Sequence, residues 1–413
     1  MNILIYAIGT RGDTQPYVAL GRELRARGHE VTIAASKGFA GMIEGAGLHH
    51  AALPADFHEL LQEPEFQAAF SSIKGRLKAF STMSDIMNAQ LQAVWDIAHE
   101  LRPDVIGAHL KSGIAPYVGR ALNVPVVPIF LQPGMMPTTL YPNFIMASKP
   151  LGNTGNLLSH KLIHKVMLMG TGKMVNRWVK ASGAEIGPKM HILEGVNAQG
   201  LRIHAYSSTI TPRDPSWPDS EAQPGYLFSE PEAYTPPPAL SAFLEAGETP
   251  IYVGFGSMPG MDHARTTAAL KGALAQTGLR AVLATGWGGI EAGDFGGQVH
   301  VLDAAPHTWL FPRMAGVVHH GGSGTTHEAL RWGRPSMVCP FFADQPFFGA
   351  LVARLGVAAQ PVKQKNLTAE SLARGISAML EPDIARRAAA LGEEIRAEKG
   401  CAGAADLLER VVA

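Results

Sequence analysis

The sequence contains little cysteine and no long hydrophobic run. Cys339 and Cys401 are the only cysteines among 413 residues, too few for a disulfide framework, so a reducing cytoplasm is the expected compartment. The longest apolar runs, such as residues 124–131, are far shorter than the roughly 20 residues that a membrane-spanning helix needs. Residues 2–8 follow Met1 without a basic leader, which predicts a core strand rather than a signal peptide. We therefore expect a cytoplasmic protein without a membrane-spanning segment.

The chain also lacks an excess of charge of either sign. It carries 35 basic and 35 acidic side chains, and its isoelectric point is near 7.3. The chain has no net positive charge that would attract a polyanion, which argues against nucleic acid as the main partner. Hydrophobic residues make up 46% of the chain, as in a packed globular protein, and the length predicts two domains. A small-molecule ligand fits this composition better.

Strand and helix patterns alternate in both halves of the chain. Residues 2–8, 16–28 and 29–36 form a strand, helix and strand pattern, which is one βαβ unit. The second half repeats the alternation and ends it with a predicted strand at 357–362. The predicted fold class is α/β, with two Rossmann-like doubly wound domains that face a cleft. The predicted boundaries are 1–215 for the first domain, 216–240 for a proline-rich linker, 241–385 for the second domain and 386–413 for C-terminal helices that return toward the first domain.

The most informative stretch runs from residue 317 to residue 328, where a buried strand passes into a glycine-rich turn that opens a helix. Gly321, Gly322 and Gly324 lack side chains, so backbone N–H groups at the helix start can approach an anion, which the helix dipole also favours. His320 and Thr325 can add donors. The pattern predicts a diphosphate cradle, although glycines also serve close helix packing in any α/β protein.

Three segments occur in the order and spacing of a known signature: residues 303–311, 319–328 and 340–349. Together they resemble the donor-binding box of the family 1 glycosyltransferases with the GT-B fold. The turn GTRGDTQP near the start and VGFGSM at 253–258 are also similar to the family. Within it, the segments TGWGG and LQPGMMPTTLYPN most resemble those of sterol and other lipophilic-acceptor glucosyltransferases. The resemblance implies an acceptor-binding first domain and a nucleotide-sugar-binding second domain.

The resemblance also implies roles for individual residues of the second domain. His320 and Thr325, helped by Ser257 and by the turn Gly322, Ser323 and Gly324, would hold the diphosphate. Glu328 would accept hydrogen bonds from the ribose hydroxyls, and Asp344 with Gln345 would bind the sugar hydroxyls. The nucleotide base would lie near Trp287, Pro306 and His307, but plant members carry a tryptophan where this chain has Ala304. The alternatives are that Trp287 packs under a loop and that Asp344 and Gln345 form a turn and a helix cap.

A catalytic base is implied at Asp13, in the loop after the first strand, where family members carry an acidic or imidazole group. Such a base takes the proton of the attacking hydroxyl. The alternative is that Asp13 is the N-cap of the helix at 16–28. His109, after a later strand, aligns roughly with the second member of a plant His/Asp pair, so we expect it to tune the proton transfer. A histidine at a strand end is more often only hydrogen-bonded in place.

The resemblance implies an inverting transfer of glucose or a related hexose from a UDP-sugar to a hydroxyl of a lipophilic molecule such as a sterol, triterpenoid or polyphenol. The alternatives are a dTDP-sugar antibiotic or macrolide glycosyltransferase and a nucleotide-sugar epimerase of the same fold. A nicotinamide oxidoreductase is disfavoured because GGSGT lacks the GxGxxG order. No metal and no cofactor beyond the nucleotide sugar are expected.

Residues 57–180 are rich in methionine and aromatic side chains. Methionine adapts to varied apolar shapes, so the first domain is predicted to hold a wide hydrophobic acceptor pocket. The alternative is plain core, which is the more common role of methionine stripes. Basic side chains at 160–180 suggest weak peripheral contact with anionic lipid heads. A solvated helix face is the interpretation that the sequence favours for them.

Overall fold

The computed structural model describes residues 1–54, 73–190, 193, 195–231, 233–256, 262–285 and 295–412, with the backbone alone for residues 73–84. Two parallel β-sheets dominate these residues. Their central strands are almost fully buried, as expected when helices cover both faces of a parallel sheet. The predicted α/β fold class is therefore correct.

The first sheet has seven strands in the order β3-β2-β1-β4-β5-β6-β7. Ile3 pairs with Val31 of β2 on one side and with Val105 of β4 on the other. The order places the carboxyl ends of β1 and β4 side by side at the centre of the sheet. The strands are β1 (Asn2–Tyr6), β2 (Glu30–Ser36), β3 (His49–Leu53), β4 (Val105–Ala108), β5 (Val126–Phe130), β6 (Arg202–His204) and β7 (Glu221–Ala222). The last of these falls inside the segment predicted as a linker.

Helices pack on both faces of this sheet. Its two long helices cross near their C-terminal ends, where Trp178 Nε1 donates to Gln92 Oε1 at 3.0 Å. The helices are α1 (Arg11–Ala26), α2 (Ala40–Gly45), α3 (Ile73–Leu101), α4 (Ala115–Leu122) and α5 (Gly152–Ser182). Among the described residues, no helix is long and apolar enough to cross a membrane.

The second sheet has five strands in the order β10-β9-β8-β11-β12. The strands are β8 (Ile251–Gly254), β9 (Ala281–Ala284), β10 (Val299–Leu302), β11 (Val317–His319) and β12 (Ser336–Val338). The accompanying helices are α6 (Pro238–Glu245), α7 (His263–Thr277), α8 (His307–Leu310), α9 (Ser323–Arg331), α10 (Gln345–Arg354) and α11 (Ala369–Met379). The strand predicted at 357–362 is wrong, because only a single bridge forms there, between Ser336 and Ala358. Pro361 has no N–H with which to continue a ladder.

The chain ends with α12 (Pro382–Ala397) and α13 (Gly400–Val412). The last helix packs on α1 of the first domain, where Arg27 contacts Asp406 at 2.7 Å and Glu409 at 2.9 Å. Leu408 is fully buried in the core that β1 and α1 share. The end of the chain is thus tied to its beginning by both ionic and apolar contacts.

Candidate active site

Four candidate residues follow the carboxyl ends of parallel strands, two in each sheet. Asp13 and His109 come after β1 and β4, while His320 and Asp344 come after β11 and β12. Ligands of open α/β sheets bind at this edge. Ser323 Oγ, at the start of α9, donates to the Leu131 carbonyl of the first domain at 3.3 Å. The two strand-end regions therefore face each other across a cleft.

Asp13 lies inside the first turn of α1 rather than before it. The N-cap is Thr10, and the Thr10 backbone N–H donates to Asp13 Oδ2 at 2.9 Å. The sequence-based alternative that made Asp13 the N-cap is thus wrong, because the helix starts at Arg11 and not at Pro16. Threonine followed three residues later by an acidic side chain resembles the capping-box signature, which outweighs the proline as a start signal.

Two basic side chains flank the Asp13 carboxylate. Lys111 Nζ donates to Oδ2 at 3.0 Å, and His109 Nε2 lies 3.7 Å from Oδ1. A Cβ atom at Gly9, where φ is +143°, would lie 2.1 Å from Oδ2 and 2.7 Å from Lys111 Nζ. Only glycine leaves room at this position for the carboxylate and its counter-charge. Lys111 was not identified from the sequence, although it lies two residues beyond His109.

The pKa values of Asp13 and His109 distinguish the two candidates for the proton acceptor: Asp13 is ionised at neutral pH and His109 is not. Burial by itself would raise the pKa of Asp13, but the charge of Lys111 and the hydrogen bond from the Thr10 N–H outweigh it and lower that pKa. Burial lowers the pKa of His109 to about 4, so this imidazole is neutral. Its Nδ1 has no hydrogen-bond partner among the described residues.

The glycine-rich turn brings α9 and its N-terminal N–H groups close to His320. Gly322 is the N-cap of α9, and a Cβ atom there would lie 2.5 Å from His320 Nε2. At Gly321, where φ is +94°, a Cβ atom would lie 2.6 Å from Val338 Cγ1. These two glycines therefore have different structural roles. Gly321 permits close packing against β12, and Gly322 leaves space for the imidazole.

The two adjacent histidines have different surroundings. The rings of His319 and His320 are perpendicular, with centroids 6.4 Å apart. His319 Nδ1 accepts the Gly321 N–H at 3.1 Å, whereas His320 Nδ1 is buried without a partner among the described residues. Burial lowers the pKa of His320 to about 4. The described residues include no group of three or more side chains suited to a metal ion.

Asp344 occupies the N-cap position of α10, but its side chain makes no capping hydrogen bond there. The N–H groups of Asp344 itself and of Ser323, at the start of α9, favour the ionised form of this carboxylate and lower its pKa. Burial, and to a lesser degree the charge of Asp13, raise the pKa of Asp344 to about 6. The Asp344 carboxylate of the second domain is therefore close enough to the Asp13 carboxylate of the first domain for the charge of Asp13 to raise its pKa. Capping of α10 does not explain this orientation.

The turn that presents Asp344 is held in an unusual backbone conformation. Ala343 has a φ of +56°, a left-handed conformation that side-chain-bearing residues adopt at a cost and that is retained mainly at functional sites. Gln345 stabilises the turn, because its Oε1 accepts the Phe341 N–H at 2.8 Å. This oxygen is thus engaged by the protein itself, as the alternative of a turn-forming role requires.

The remaining predicted donor residues have the following contacts. Glu328 Oε1 accepts Trp332 Nε1 at 2.6 Å, and burial raises the pKa of Glu328. Pro306 is the N-cap of α8, and His307 stacks on Phe311 at a centroid distance of 4.3 Å. Thr325 is half-buried in the first turn of α9. Ser257 and Trp287 lie outside the described residues, so the roles predicted for them stay predictions.

Arg11 is a second residue that the sequence did not single out. Burial lowers the pKa of His307 to about 4, and the charge of Arg11 contributes to this shift. Arg11 is exposed at the first position of α1, whereas His307 belongs to the second domain. Its charge therefore acts across the cleft toward the predicted nucleotide site.

A small apolar cluster lies next to the Asp13 region. Leu110 directly follows His109 and contributes to a cluster formed with Phe130, Met135, Phe144, Met167 and Leu193. Two of these side chains are the adaptable methionines from which an acceptor pocket was predicted. The part of that predicted region at 57–72 lies outside the described residues.

Two parallel α/β domains with facing strand ends define the GT-B class of glycosyltransferases. The solved glycosyltransferase of kitacinnamycin has the same fold, with a TM-score of 0.73 and 20% identity over 100% of this chain and 99% of that chain. SnogD from Streptomyces nogalater has a TM-score of 0.69 and 20% identity over 99% of both chains. The predicted GT-B fold is confirmed.

Sequence relatives identify the family. Residues 3–138 match the Glycosyltransferase family 28 N-terminal domain, and residues 289–408 match the Erythromycin biosynthesis protein CIII-like, C-terminal domain. The O-mycaminosyltylonolide 6-deoxyallosyltransferase of Streptomyces fradiae is 32% identical over 99% of this chain and 97% of its own length. The chain therefore belongs to the glycosyltransferases.

Sterol 3-beta-glucosyltransferases are also similar to this chain, which confirms the resemblance found in the sequence. That of Arabidopsis thaliana is 32% identical over 98% of this chain, and that of Aspergillus fumigatus is 30% identical over 99% of it. The chain spans 64% of the first and 30% of the second. It thus corresponds to one part of each of these longer relatives.

Proposed function

We propose that the protein transfers glucose or a related hexose from a UDP-sugar to a hydroxyl of a lipophilic small molecule, with inversion at the anomeric carbon. The observation that carries this proposal is the convergence of two carboxylates from opposite domains, the buried Asp13 and the half-buried Asp344. One is paired with Lys111 and kept ionised. The other belongs to the turn that the family resemblance assigns to the sugar.

The proposed mechanism is a single displacement. Asp13 takes the proton of the acceptor hydroxyl while that oxygen forms a bond to the anomeric carbon, and the bond from this carbon to the diphosphate breaks. The departing negative charge is stabilised by N–H groups at the start of α9 and by the neutral His320 imidazole. Attack from the face opposite the leaving group converts an α-linked donor into a β-glycoside. No metal takes part in this scheme.

Sterols, triterpenoids and polyphenols are the acceptor classes that we propose. The apolar cluster around Leu110 and Met135 adjoins the Asp13 pair, and several relatives are sterol 3-beta-glucosyltransferases. We also propose a cytoplasmic location, because UDP-sugars are available there and both cysteines, Cys339 and Cys401, are free thiols.

A dTDP-sugar-dependent transfer to a macrolide is the second candidate function. It is favoured by one observation, the similarity to the Streptomyces fradiae 6-deoxyallosyltransferase along nearly its whole length. Both candidates share the base, the cradle and an apolar acceptor. They differ in the nucleotide and the sugar, to which Ser257 and Trp287 would contribute.

The proposal is tested by incubating the purified protein with UDP-glucose or dTDP-glucose and a mixture of sterol, triterpenoid, flavonoid and macrolide alcohols, followed by mass spectrometry. We expect a hexosylated product with UDP-glucose. A product with dTDP-glucose alone would favour the second candidate. Interconversion of the nucleotide sugars without any acceptor product would indicate an epimerase instead and contradict the proposal.

Lys111 is predicted to set the pH above which the enzyme is active, because it lowers the pKa of Asp13. Asp13 serves as a base only when ionised, so kcat/KM falls as the pH drops through its pKa. Replacing Lys111 with methionine removes a positive charge 3.0 Å from the carboxylate, which raises the pKa of Asp13. The acid limb of the pH profile is expected to move to higher pH.

Two further variants serve as controls for this prediction. Lys111→Arg keeps the charge and is expected to keep the acid limb near its original position. Lys149→Met removes an exposed lysine elsewhere in the first domain and is expected to change nothing. An acid limb that stays in place in Lys111→Met would mean that Asp13 does not govern it.

A further inference from the structure

The outward face of α5 is apolar although it is exposed. Leu158, Leu162, Val166 and Met169 recur at intervals of four, four and three residues, and each is at least half exposed. The inward face buries Ser159, His160 and Ile163 at the same level of the helix. A solvated helix face would carry polar side chains at the outward positions. The sequence-based preference for such a face therefore does not describe this part of α5.

The loop before α5 continues the exposed apolar side chains. Ile145, Met146 and Leu151 are 58%, 47% and 50% exposed. Two hydrogen bonds hold the loop against the helix: the Asn143 N–H donates to Ser159 Oγ at 2.8 Å, and the Leu151 N–H donates to Asn156 Oδ1 at 2.9 Å. The four α5 residues and these three loop residues are called the α5 apolar surface below.

The stretch of chain that carries this surface has side-chain charges of one sign. Residues 105–184 contain no aspartate or glutamate but eight lysines and arginines, whereas the whole chain carries 35 charges of each sign. Lys161 and Lys165 are exposed on α5 and directly precede two residues of the apolar surface, Leu162 and Val166. Two copies of this chain would bring like charges together across the surface. The pattern is complementary to a partner that is both apolar and anionic.

We propose that the α5 apolar surface binds the face of an anionic lipid bilayer, with α5 lying in the interfacial plane. Helices with exposed leucines and flanking lysines bind in this way, by burying apolar side chains and by attraction to anionic headgroups. The bound protein stays peripheral. This proposal concerns binding alone and does not depend on the reaction.

The inner face of α5 connects the bilayer surface with the cleft. His160 Nε2 contacts the Tyr141 carbonyl at 3.0 Å, and His164 Nε2 contacts the Gly134 carbonyl at 3.2 Å. The loop that contains Gly134 and Tyr141 begins at Leu131, whose carbonyl accepts a hydrogen bond from Ser323 Oγ at the start of α9. If the proposed function holds, docking on α5 places the acceptor-side loop next to the membrane that dissolves lipophilic acceptors.

The test is flotation of the full chain with vesicles of phosphatidylcholine alone and with vesicles containing one part in three of phosphatidylglycerol. We expect binding to the second kind, weakened by salt. Lys161→Gln with Lys165→Gln is expected to weaken it by about fivefold for each lysine, and Leu158→Ser with Leu162→Ser to abolish it. The matched control, Lys363→Gln with Lys365→Gln, replaces two exposed lysines of the second domain and is expected to bind normally.

Equal binding to vesicles with and without phosphatidylglycerol would overturn the proposal. So would undiminished binding by a folded protein that carries the two leucine substitutions. So would a dimer in solution that these substitutions dissociate, because the surface would then join two copies. Transfer to an acceptor dissolved in vesicles, compared with the same acceptor carried by cyclodextrin, separates the two proposals. Vesicle binding without any transfer would leave the docking surface intact and contradict the proposed function.

Discussion

Replacing Asp13 with asparagine is expected to lower kcat by about two to four orders of magnitude, the range typical of a lost general base, while UDP-glucose still binds. Asparagine retains the oxygen that accepts the Thr10 N–H at 2.9 Å, so the start of α1 is preserved. It cannot take a proton from the acceptor hydroxyl. Turnover by steady-state kinetics and donor binding by calorimetry together measure the two effects.

Thr10→Ala separates the structural role of this helix start from the chemical one. It removes the N-cap hydroxyl, which costs about 1 kcal/mol of stability, and with it a long hydrogen bond of 3.4 Å to Asp13 Oδ2. The shorter bonds to this oxygen from the Thr10 N–H and from Lys111 Nζ stay in place. We expect a lower unfolding temperature and nearly unchanged turnover. If Asp13→Asn were as active as the original protein, the base would lie elsewhere, and His109 would be the first residue to examine.

Gly322→Ala is expected to weaken UDP-glucose binding by about 10- to 100-fold, as when one hydrogen bond worth roughly 1.5–3 kcal/mol to a charged group is lost. The backbone at Gly322 has a φ of −61° and a ψ of 147°, which alanine adopts without strain. The new Cβ atom would lie 2.5 Å from His320 Nε2, so the imidazole must move. Calorimetry with UDP-glucose and with UDP measures the loss.

Gly297→Ala is the matched control in the same domain. A Cβ atom at Gly297 meets no other atom within 4 Å, so this variant is expected to bind UDP-glucose normally. Equal affinities of the Gly322→Ala and Gly297→Ala proteins would show that the turn before α9 does not hold the diphosphate. The glycines would then serve helix packing alone.

The alternation of strands and helices was sufficient to predict the fold class, because buried parallel strands are nearly continuous apolar runs. The start of α1 was misplaced, since Pro16 was weighed above Thr10 and Asp13. The strand predicted at 357–362 has an apolar pattern but contains Pro361, and only one bridge to β12 forms there. Both errors arose where a local hydrogen-bonding detail decided the outcome.

The candidate site was predictable as a set of residue types but not as an arrangement. Motif spacing indicated Asp13 and Asp344, yet their mutual influence arises only when two domains fold against each other. Lys111 belongs to no motif, and its position 3.0 Å from Asp13 depends on the pairing of β1 with β4. The left-handed backbone of Ala343 has no signal in the sequence, because alanine rarely adopts it.

The anomeric configuration of the product tests the central claim most directly. The protein would be incubated with UDP-glucose and a sterol. The coupling constant of the anomeric proton in the purified product would then be measured by proton NMR. A single displacement assisted by Asp13 predicts a β-glucoside from the α-linked donor, and far less product in the same time from the Asp13→Asn protein. An α-glucoside, or a β-glucoside formed equally well without the Asp13 carboxylate, would contradict this account.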